Sequence, residues 1–252
     1  MHVLLGIDDT DVLGQRPGTG RLARDLGAHI EQHAMGRLVG VIRHQLLVDP
    51  RIPYTSHNSP ACLIVEGEGG SNGAARRLFA AAADYVVQHC AQGSDPGICL
   101  VEQTAVGLAI QDFGRRAGSE VLAKSDALDL ARQHGLLIEE LGGSGDGVIG
   151  ALAAVGLTAE GNAGRFLELA GGLRELGERV TARELRRRGI RLLSVSRNGE
   201  PVSDAAVIAT GDWVRPRLIA GQPVLLVEPT DDGWCCFDRK SKHPDSTEAA
   251  DA

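Results

Sequence analysis

Residues 3–11 read Val3-Leu4-Leu5-Gly6-Ile7-Asp8-Asp9-Thr10-Asp11. The apolar run Val3–Ile7 predicts a short buried strand. An acidic, glycine-punctuated loop follows, from Asp8 to about Gly20. Leu22, Leu26 and Ile30, spaced by four, then predict an amphipathic helix over 20–34. In open α/β sheets, ligands bind at the carboxyl end of a strand, which is where this loop begins. Asp8, Asp9 and Asp11 place three carboxylates within four residues. They repel one another, and a cation offsets that cost. Oxygen ligands at a strand end suit Mg²⁺, shared with substrate phosphates. An acidic turn leading into the helix is the alternative, and the pattern leaves both open.

The helix opens with Pro17-Gly18-Thr19-Gly20. A helix N-terminus presents unpaired N–H groups and a positive dipole end, so it favours phosphate. Thr19 is then either the N-cap or a hydroxyl facing a phosphate. The segment is not a P-loop, because G-x-x-x-x-G-K-[ST] is missing. Strand, acidic loop and helix could together form a metal–nucleotide site.

Further along, strand patterns at Leu38–Val48 and Cys62–Val65 are separated by a Pro-rich turn containing His57 and Asn58, two candidate polar ligand contacts. A glycine loop over 67–73 leads to a helix over Ala74–His89, and Ile98–Val101 reads as a strand. Strands alternating with helices give an α/β or α+β layered fold. A boundary is expected near Arg115–Ser119, dividing the chain into domains 1–118 and 119–238 with a polar, disordered tail over 239–252. In the second part, Glu120–His134 reads as a helix, Leu136–Leu141 as a strand and Val148–Leu157 as a small-residue helix. A hairpin is expected around Asn198-Gly199, and Val224–Val227 pairs with Trp234–Phe237.

Between the expected strand and helix lies Gly142-Gly143-Ser144-Gly145-Asp146-Gly147. Gly145, Gly147 and Gly150 formally satisfy G-x-G-x-x-G. The dinucleotide reading is rejected, because the motif sits mid-chain and Glu168, the acid at the right distance, reads as helical. Either backbone approaches a ligand here, or the glycines serve packing. Arg183, Arg186, Arg187, Arg188 and Arg191 form the one dense basic run, either a solvated helix face or a phosphate or RNA contact.

Composition narrows the classes. The chain has 252 residues, 33 acids against 26 Lys plus Arg, and a net charge of −7. That balance opposes broad nonspecific nucleic-acid binding. Aromatics at 3% oppose a base-stacking platform. Five cysteines without C-x-x-C spacing make neither a disulfide framework nor a zinc ribbon. No apolar run reaches the ~18–20 residues needed to span a bilayer, and no signal peptide is visible, so a cytoplasmic location without membrane is expected.

Taken together, the segments resemble the isoleucine-tRNA agmatinylcytidine synthetases. Gly6-Ile7-Asp8-Asp9-Thr10-Asp11 is similar to the family's opening, and Thr19 falls at its helix-start threonine. Pro50, Ile52-Pro53-Tyr54 and Asn58 are similar to its Pro-x-Ile-Pro-Tyr…Asn segment, and Asp95-Pro96-Gly97 to its Asn-Pro-Gly turn. The stretch from Gly145 to Gly156 resembles its Gly-x-Gly-Ile-Ile-Gly-Ala-Leu-Ala-Ala segment. The resemblance implies a kinase-like α/β domain using ATP and Mg²⁺, followed by a ferredoxin-like α+β domain that binds agmatine. ATP would phosphorylate a carbonyl oxygen, and the amine would displace phosphate. Asp8, Asp9 and Asp11 would hold the metal, Thr19 would bear phosphate, and Thr10, Gly18, Gly20 and Asn58 would contact ATP. Gly145, Asp146, Gly147 and Gly150 would face the amine. Three departures follow. The family's basic residues after Ile-Pro-Tyr are replaced by Thr55, Ser56 and His57. Asp146 stands where an Arg is expected. The expectation is also of a shortened member without the oligonucleotide-binding barrel and zinc ribbon. The acceptor is therefore either a small molecule or tRNA, with RNA grip from Arg183–Arg191 or another chain. A nucleotide-binding module or subunit without turnover is the third reading.

Overall fold

A computed structural model describes residues 1–14, 17–53, 55, 57–67, 72–196 and 199–238. Tyr54, Ser56, most of the 67–73 loop, Asn198 of the expected hairpin and the 239–252 tail lie outside the described residues.

The first strand, β1 (His2–Asp8), has two distinct faces because side chains alternate along it. Val3, Leu5 and Ile7 enter one apolar cluster together with Leu22, Leu26 and Ile30 of α1 (Thr19–Gln32). Leu4 points into a second cluster on the opposite face. β1 therefore lies inside a layered core, as its unbroken apolar run requires. The strands β2 (Arg37–Arg43) and β3 (Ala61–Glu66), the helix α2 (Asn72–His89) and β4 (Gly97–Glu102) follow. The order β1-α1-β2-β3-α2-β4 folds into an antiparallel sheet with strands arranged β4-β1-β3-β2. That is the βαββαβ, ferredoxin-like arrangement. It occupies residues 2–102, ahead of residue 119, where the sequence reading placed it behind.

A helix that periodicity did not reveal, α3 (Leu108–Ala117), comes next. The chain then passes residue 118 without leaving the layer. α4 (Lys124–His134) starts four residues later than expected, where the Asp126 carboxylate accepts the Ala123 backbone N–H at 3.1 Å. β5 (Leu137–Glu140) adds beside β4, and α5 (Gly147–Glu160) crosses the outer face of β1. α5 is buried nearly all round, which its Gly and Ala content permits. A Cβ on Gly6 would overlap the Ala151 carbonyl, and one on Gly114 would lie 2.9 Å from the Ala153 carbonyl oxygen. α5 is thus seated directly on backbone.

The remaining segment extends the same sheet. β6 (Arg165–Leu169) pairs with β2, so Glu168 lies on a strand and not on the helix expected. The rejection of a dinucleotide fold stands for another reason: β5 and β6 sit at opposite ends of the β5-β4-β1-β3-β2-β6 order, and α5 joins no parallel neighbours. β7 (Arg179–Thr181), α6 (Ala182–Arg187), β8 (Arg191–Ser194), β9 (Val207–Ala209), β10 (Arg217–Ile219), β11 (Gln222–Thr230) and β12 (Gly233–Cys236) complete a 12-stranded sheet over a third apolar cluster. β11 and β12 pair antiparallel as expected. β8 instead pairs parallel with β11, so it does not open a hairpin. The α+β class expected from the sequence is present. Among the described residues, no helix is long and apolar enough to cross a membrane.

His44, just past β2, joins sheet to helix. Its ring Nε2 lies 2.8 Å from the Thr158 hydroxyl of α5, and burial holds its pKa down to about 3. The folded state therefore keeps a neutral imidazole, while the unfolded chain takes up a proton near pH 6.5. Its contribution is complete above pH 6.5 and is lost as pH falls toward 3, with about 2 kcal/mol gone by pH 5. Urea unfolding of wild type and His44→Gln at pH 8 and pH 5 isolates this effect, because shared titrations cancel in the difference. Equal pH dependence of the two proteins would refute it.

Candidate active site

At the end of β1 the chain turns sharply, and Asp9 takes a φ of 54°. A non-glycine residue rarely holds that left-handed conformation, and strain of this kind gathers at functional loops. Strand alternation directs Asp8 to the face of Leu4 and Gly6, toward α5. Gly150, at the end of the first turn of α5, leaves the room: a Cβ there would overlap the Asp8 carboxylate.

The acidic loop folds back over the start of α1. Gly18 is the N-cap and makes no side-chain capping bond, so Thr19 is the first helical residue rather than the cap. The fully buried Thr10 donates its hydroxyl hydrogen to the Thr19 hydroxyl at 3.0 Å. Asp11 accepts from the Thr55 hydroxyl at 3.0 Å and would lie 3.1 Å from a Cβ on Gly18. The N-terminal turns of α1 and α5 border one cavity of about 340 Å³.

Of the residues expected from sequence, Asp8, Asp9, Asp11, Gly18, Thr19, Gly20, Asn58, Asp146, Gly147 and Gly150 line this cavity. Thr10 and Gly145 do not: Thr10 is buried, and Gly145 has a φ of 73° and a Cβ position overlapping the Glu140 carboxylate. A Cβ on Gly147 would lie 2.5 Å from the Gly97 nitrogen and 2.6 Å from the Asp95 carbonyl oxygen. The glycine loop thus interlocks with the Asp95-Pro96-Gly97 turn, and packing accounts for Gly145 and Gly147. Asn58 donates its amide to the Leu47 carbonyl at 2.8 Å and so orders the cavity wall.

Charge is concentrated in the acidic loop. Burial chiefly, with the Asp9 and Asp11 charges, pushes the Asp8 pKa up to about 8 against a lowering bond from the Asp9 backbone. Burial, then Asp95, Asp11 and Asp146, raises Asp9 to about 6. Near neutral pH Asp8 therefore keeps its proton in large part, while Asp9 is mostly ionised. Among the described residues no three His, Cys, Asp or Glu groups converge as metal ligands. That excludes an all-protein cage for those residues. Mg²⁺ takes one or two carboxylates and fills its octahedron with water and phosphate.

The cavity lining is also rich in arginine, and sequence reading missed it. Arg24, Arg43, Arg165, Arg174 and Arg215 belong to it together with Trp213. These positions are scattered over 192 residues and no local pattern links them. The basic run that did stand out is partly paired with local carboxylates. Arg186 bonds Asp204, and Arg188 bonds Glu184 at 2.9 Å and the Gly171 and Gly172 carbonyls. None of that run lines the cavity.

Fold and site define an α+β protein in which an acidic strand end faces two helix N-termini across a shared cleft. No protein-family model and no curated protein matches the chain. It is similar to the crystal structure of TiaS in complex with its isoleucine tRNA and ATP, at 29% identity over 62% of this chain and 36% of that one, with a TM-score of 0.53. It is also similar to the complex of TiaS with that tRNA, AMPCPP and agmatine (26% identity, 62% and 36% coverage, TM-score 0.52). Apo TiaS, an isoleucine-tRNA agmatidine synthetase, matches at 26% identity, 62% and 35% coverage and a TM-score of 0.50. The chain spans little more than a third of the length of these proteins.

Proposed function

We propose that the cleft is the active site of an Mg²⁺- and ATP-dependent condensing enzyme. It would phosphorylate a carbonyl oxygen of a nucleobase or amide-like acceptor and let an amine displace the phosphate. The observation that carries this is the meeting of the acidic loop with the N-terminal turns of α1 and α5 at one cavity. The likeness to complexes whose names include ATP and agmatine supports the same chemistry.

Asp8 with one of its neighbours, Asp9 or Asp11, is the proposed metal-binding pair, since the three carboxylates do not converge as one ligand set. Bound Mg²⁺ would neutralise charge on the β- and γ-phosphates. The open N-terminus of α1 offers backbone N–H groups to phosphate oxygens, with Gly18 and Gly20 keeping the backbone accessible. Thr19 presents its hydroxyl there, held by Thr10. The acceptor oxygen attacks the terminal phosphorus and ADP leaves. The amine nitrogen then attacks the activated carbon, the carbon–oxygen bond to phosphate breaks, and the amine gives up a proton. Asp146, beside Gly147 and Gly150 at the cavity, is the proposed contact for the amine. The proposed catalytic unit is 1–118 together with α4, β5 and α5, because these elements share its core.

Calorimetric titration with ATP, with and without Mg²⁺, tests the reading. Mg²⁺-dependent binding is expected, with ADP release that EDTA abolishes. Absence of ATP binding refutes it, and tight binding without turnover under any amine favours a nucleotide-binding module.

A further inference from the structure

Besides the acidic loop, the cleft is lined by arginines, two of which form no ion pair with a described carboxylate. Arg24 projects from α1, and its Nε is buried with no hydrogen-bond partner among the described residues. Neither Arg24 nor Arg174 forms an ion pair with a described carboxylate, in contrast to Arg165, which bonds Asp238 at 2.9 Å. Arg174 and Arg215 both lie against Trp213, their guanidinium carbons 4.1 and 4.3 Å from the ring centroid. Burial and the charge of Arg24 lower the Arg174 pKa, partly offset by Glu168. Glu168 acts on Arg174 without an ion pair to it; its Oε1 accepts the Leu169 and Leu173 backbone N–H groups at 3.1 and 2.8 Å. Two guanidinium groups are thus held near each other beside a cavity, with no described carboxylate paired to either. An anion bound at the cavity would satisfy the buried Nε of Arg24 and meet the exposed guanidinium of Arg174 beside it.

We infer that the arginine lining recognises an anionic group, phosphate or carboxylate, on a small-molecule acceptor, whose carbonyl is thereby turned toward the acidic loop. The inference rests on the reading of the cleft as an ATP-dependent condensing site and names its acceptor class. A free small molecule fits better than RNA. Arg24 and Arg174 line a cavity of about 340 Å³, within the usual range for small ligands. In the surface run at Arg183–Arg191, Arg186 and Arg188 are held in local ion pairs, and the chain carries a net charge of −7.

The test uses pairs of probes that differ only in the anion: 5′-CMP against cytidine, and orotate against uracil. Each is titrated calorimetrically into the full chain, with and without Mg²⁺ and a non-hydrolysable ATP analogue. The charged member of at least one pair is expected to bind ~10-fold tighter or more, with Arg174→Ala removing that difference. Binding of the ATP analogue to Arg174→Ala should stay within about 3-fold of wild type. Arg174 is solvent-exposed, so Arg174→Ala is expected to keep the fold. Equal binding within both pairs, or no binding of any probe, overturns the inference. So does an Arg174→Ala defect confined to the ATP analogue, which would assign the arginines to the nucleotide's own phosphates. Binding of bulk tRNA with neither charged probe bound would overturn it in favour of an RNA acceptor. Failure of the wild type to bind the ATP analogue strikes the condensing-enzyme reading alone, since the probe pairs are also measured without nucleotide.

Discussion

Asp8→Asn is expected to reduce Mg²⁺-dependent ATP turnover by ~10³-fold, with the fold retained. Asparagine keeps the shape of the side chain in the space beside Gly150 and removes the charge. That charge is what a cation would bind at the strand end. The same substitution has an opposite, independent consequence for stability. The Asp8 pKa is about 8 in the folded protein against about 3.8 for an ordinary aspartate. An acid whose folded pKa is raised favours folding below its unfolded value and disfavours it increasingly as pH climbs toward the folded value. Asn does not titrate. In Mg²⁺-free buffer at pH 8.5, the variant should therefore be at least as stable as wild type. Thermal melts alongside an ADP-release assay separate the two effects. Activity within tenfold of wild type would remove Asp8 from the metal site, and loss of folding would show a structural role instead.

Gly6→Ala should destabilise the protein by about 3 kcal/mol, although it adds one methyl to a strand. In most strands alanine is tolerated better than glycine. Here the new Cβ would overlap the Ala151 carbonyl and lie 3.2 Å from the Val155 side chain. Backbone cannot rotate away as a side chain can, so α5 must lift from the sheet. That lift would also carry Gly147 and Gly150 away from Asp8, coupling a core defect to the cleft. Gly27→Ala in α1 is the matched control. The three atoms nearest its Cβ all belong to the Leu38 side chain, the first a terminal methyl at 2.7 Å that can shift, and helix propensity improves. Urea midpoints for the two variants should differ clearly. A Gly6→Ala protein as stable as Gly27→Ala would show that α5 is not seated on β1 as described.

The elements read from sequence were those with local periodicity or an unbroken apolar run. β1, α1 and α2 fall where Val3–Ile7, the four-residue spacing of Leu22, Leu26 and Ile30, and the Ala74–His89 stripe placed them. α5 was legible from its small residues, although the purpose of those residues was not. Glycine against glycine loop and strand backbone is a tertiary relation, visible only once Gly6 meets Ala151 and Gly97 meets Gly147. Elements with weak patterns were missed or misread. β6 carries Glu168 inside Arg165–Leu169, where burial alternates too briefly to distinguish a strand from a helix. β8 pairs parallel with β11, a choice that turn residues near it cannot announce.

The candidate site divides along the same line. The acidic loop and the helix start were legible because their residues are neighbours in the chain, and a strand end followed by a helix start brings them together by local geometry alone. The arginine lining was not legible. Arg24, Arg174 and Arg215 belong to α1 and to segments near β6 and β10, and only the pairing of β6 with β2 brings those segments to the mouth of the acidic loop. A net charge of −7 describes the chain as a sum over all positions. The field inside the cleft depends on which charges are close and which are already paired, because Coulomb attraction and desolvation act over a few ångströms. Sequence by itself determined where the acids and the first helix stand. The tertiary structure decided that Arg24 and Arg174, without an ion-pair partner among the described residues, line the same cavity.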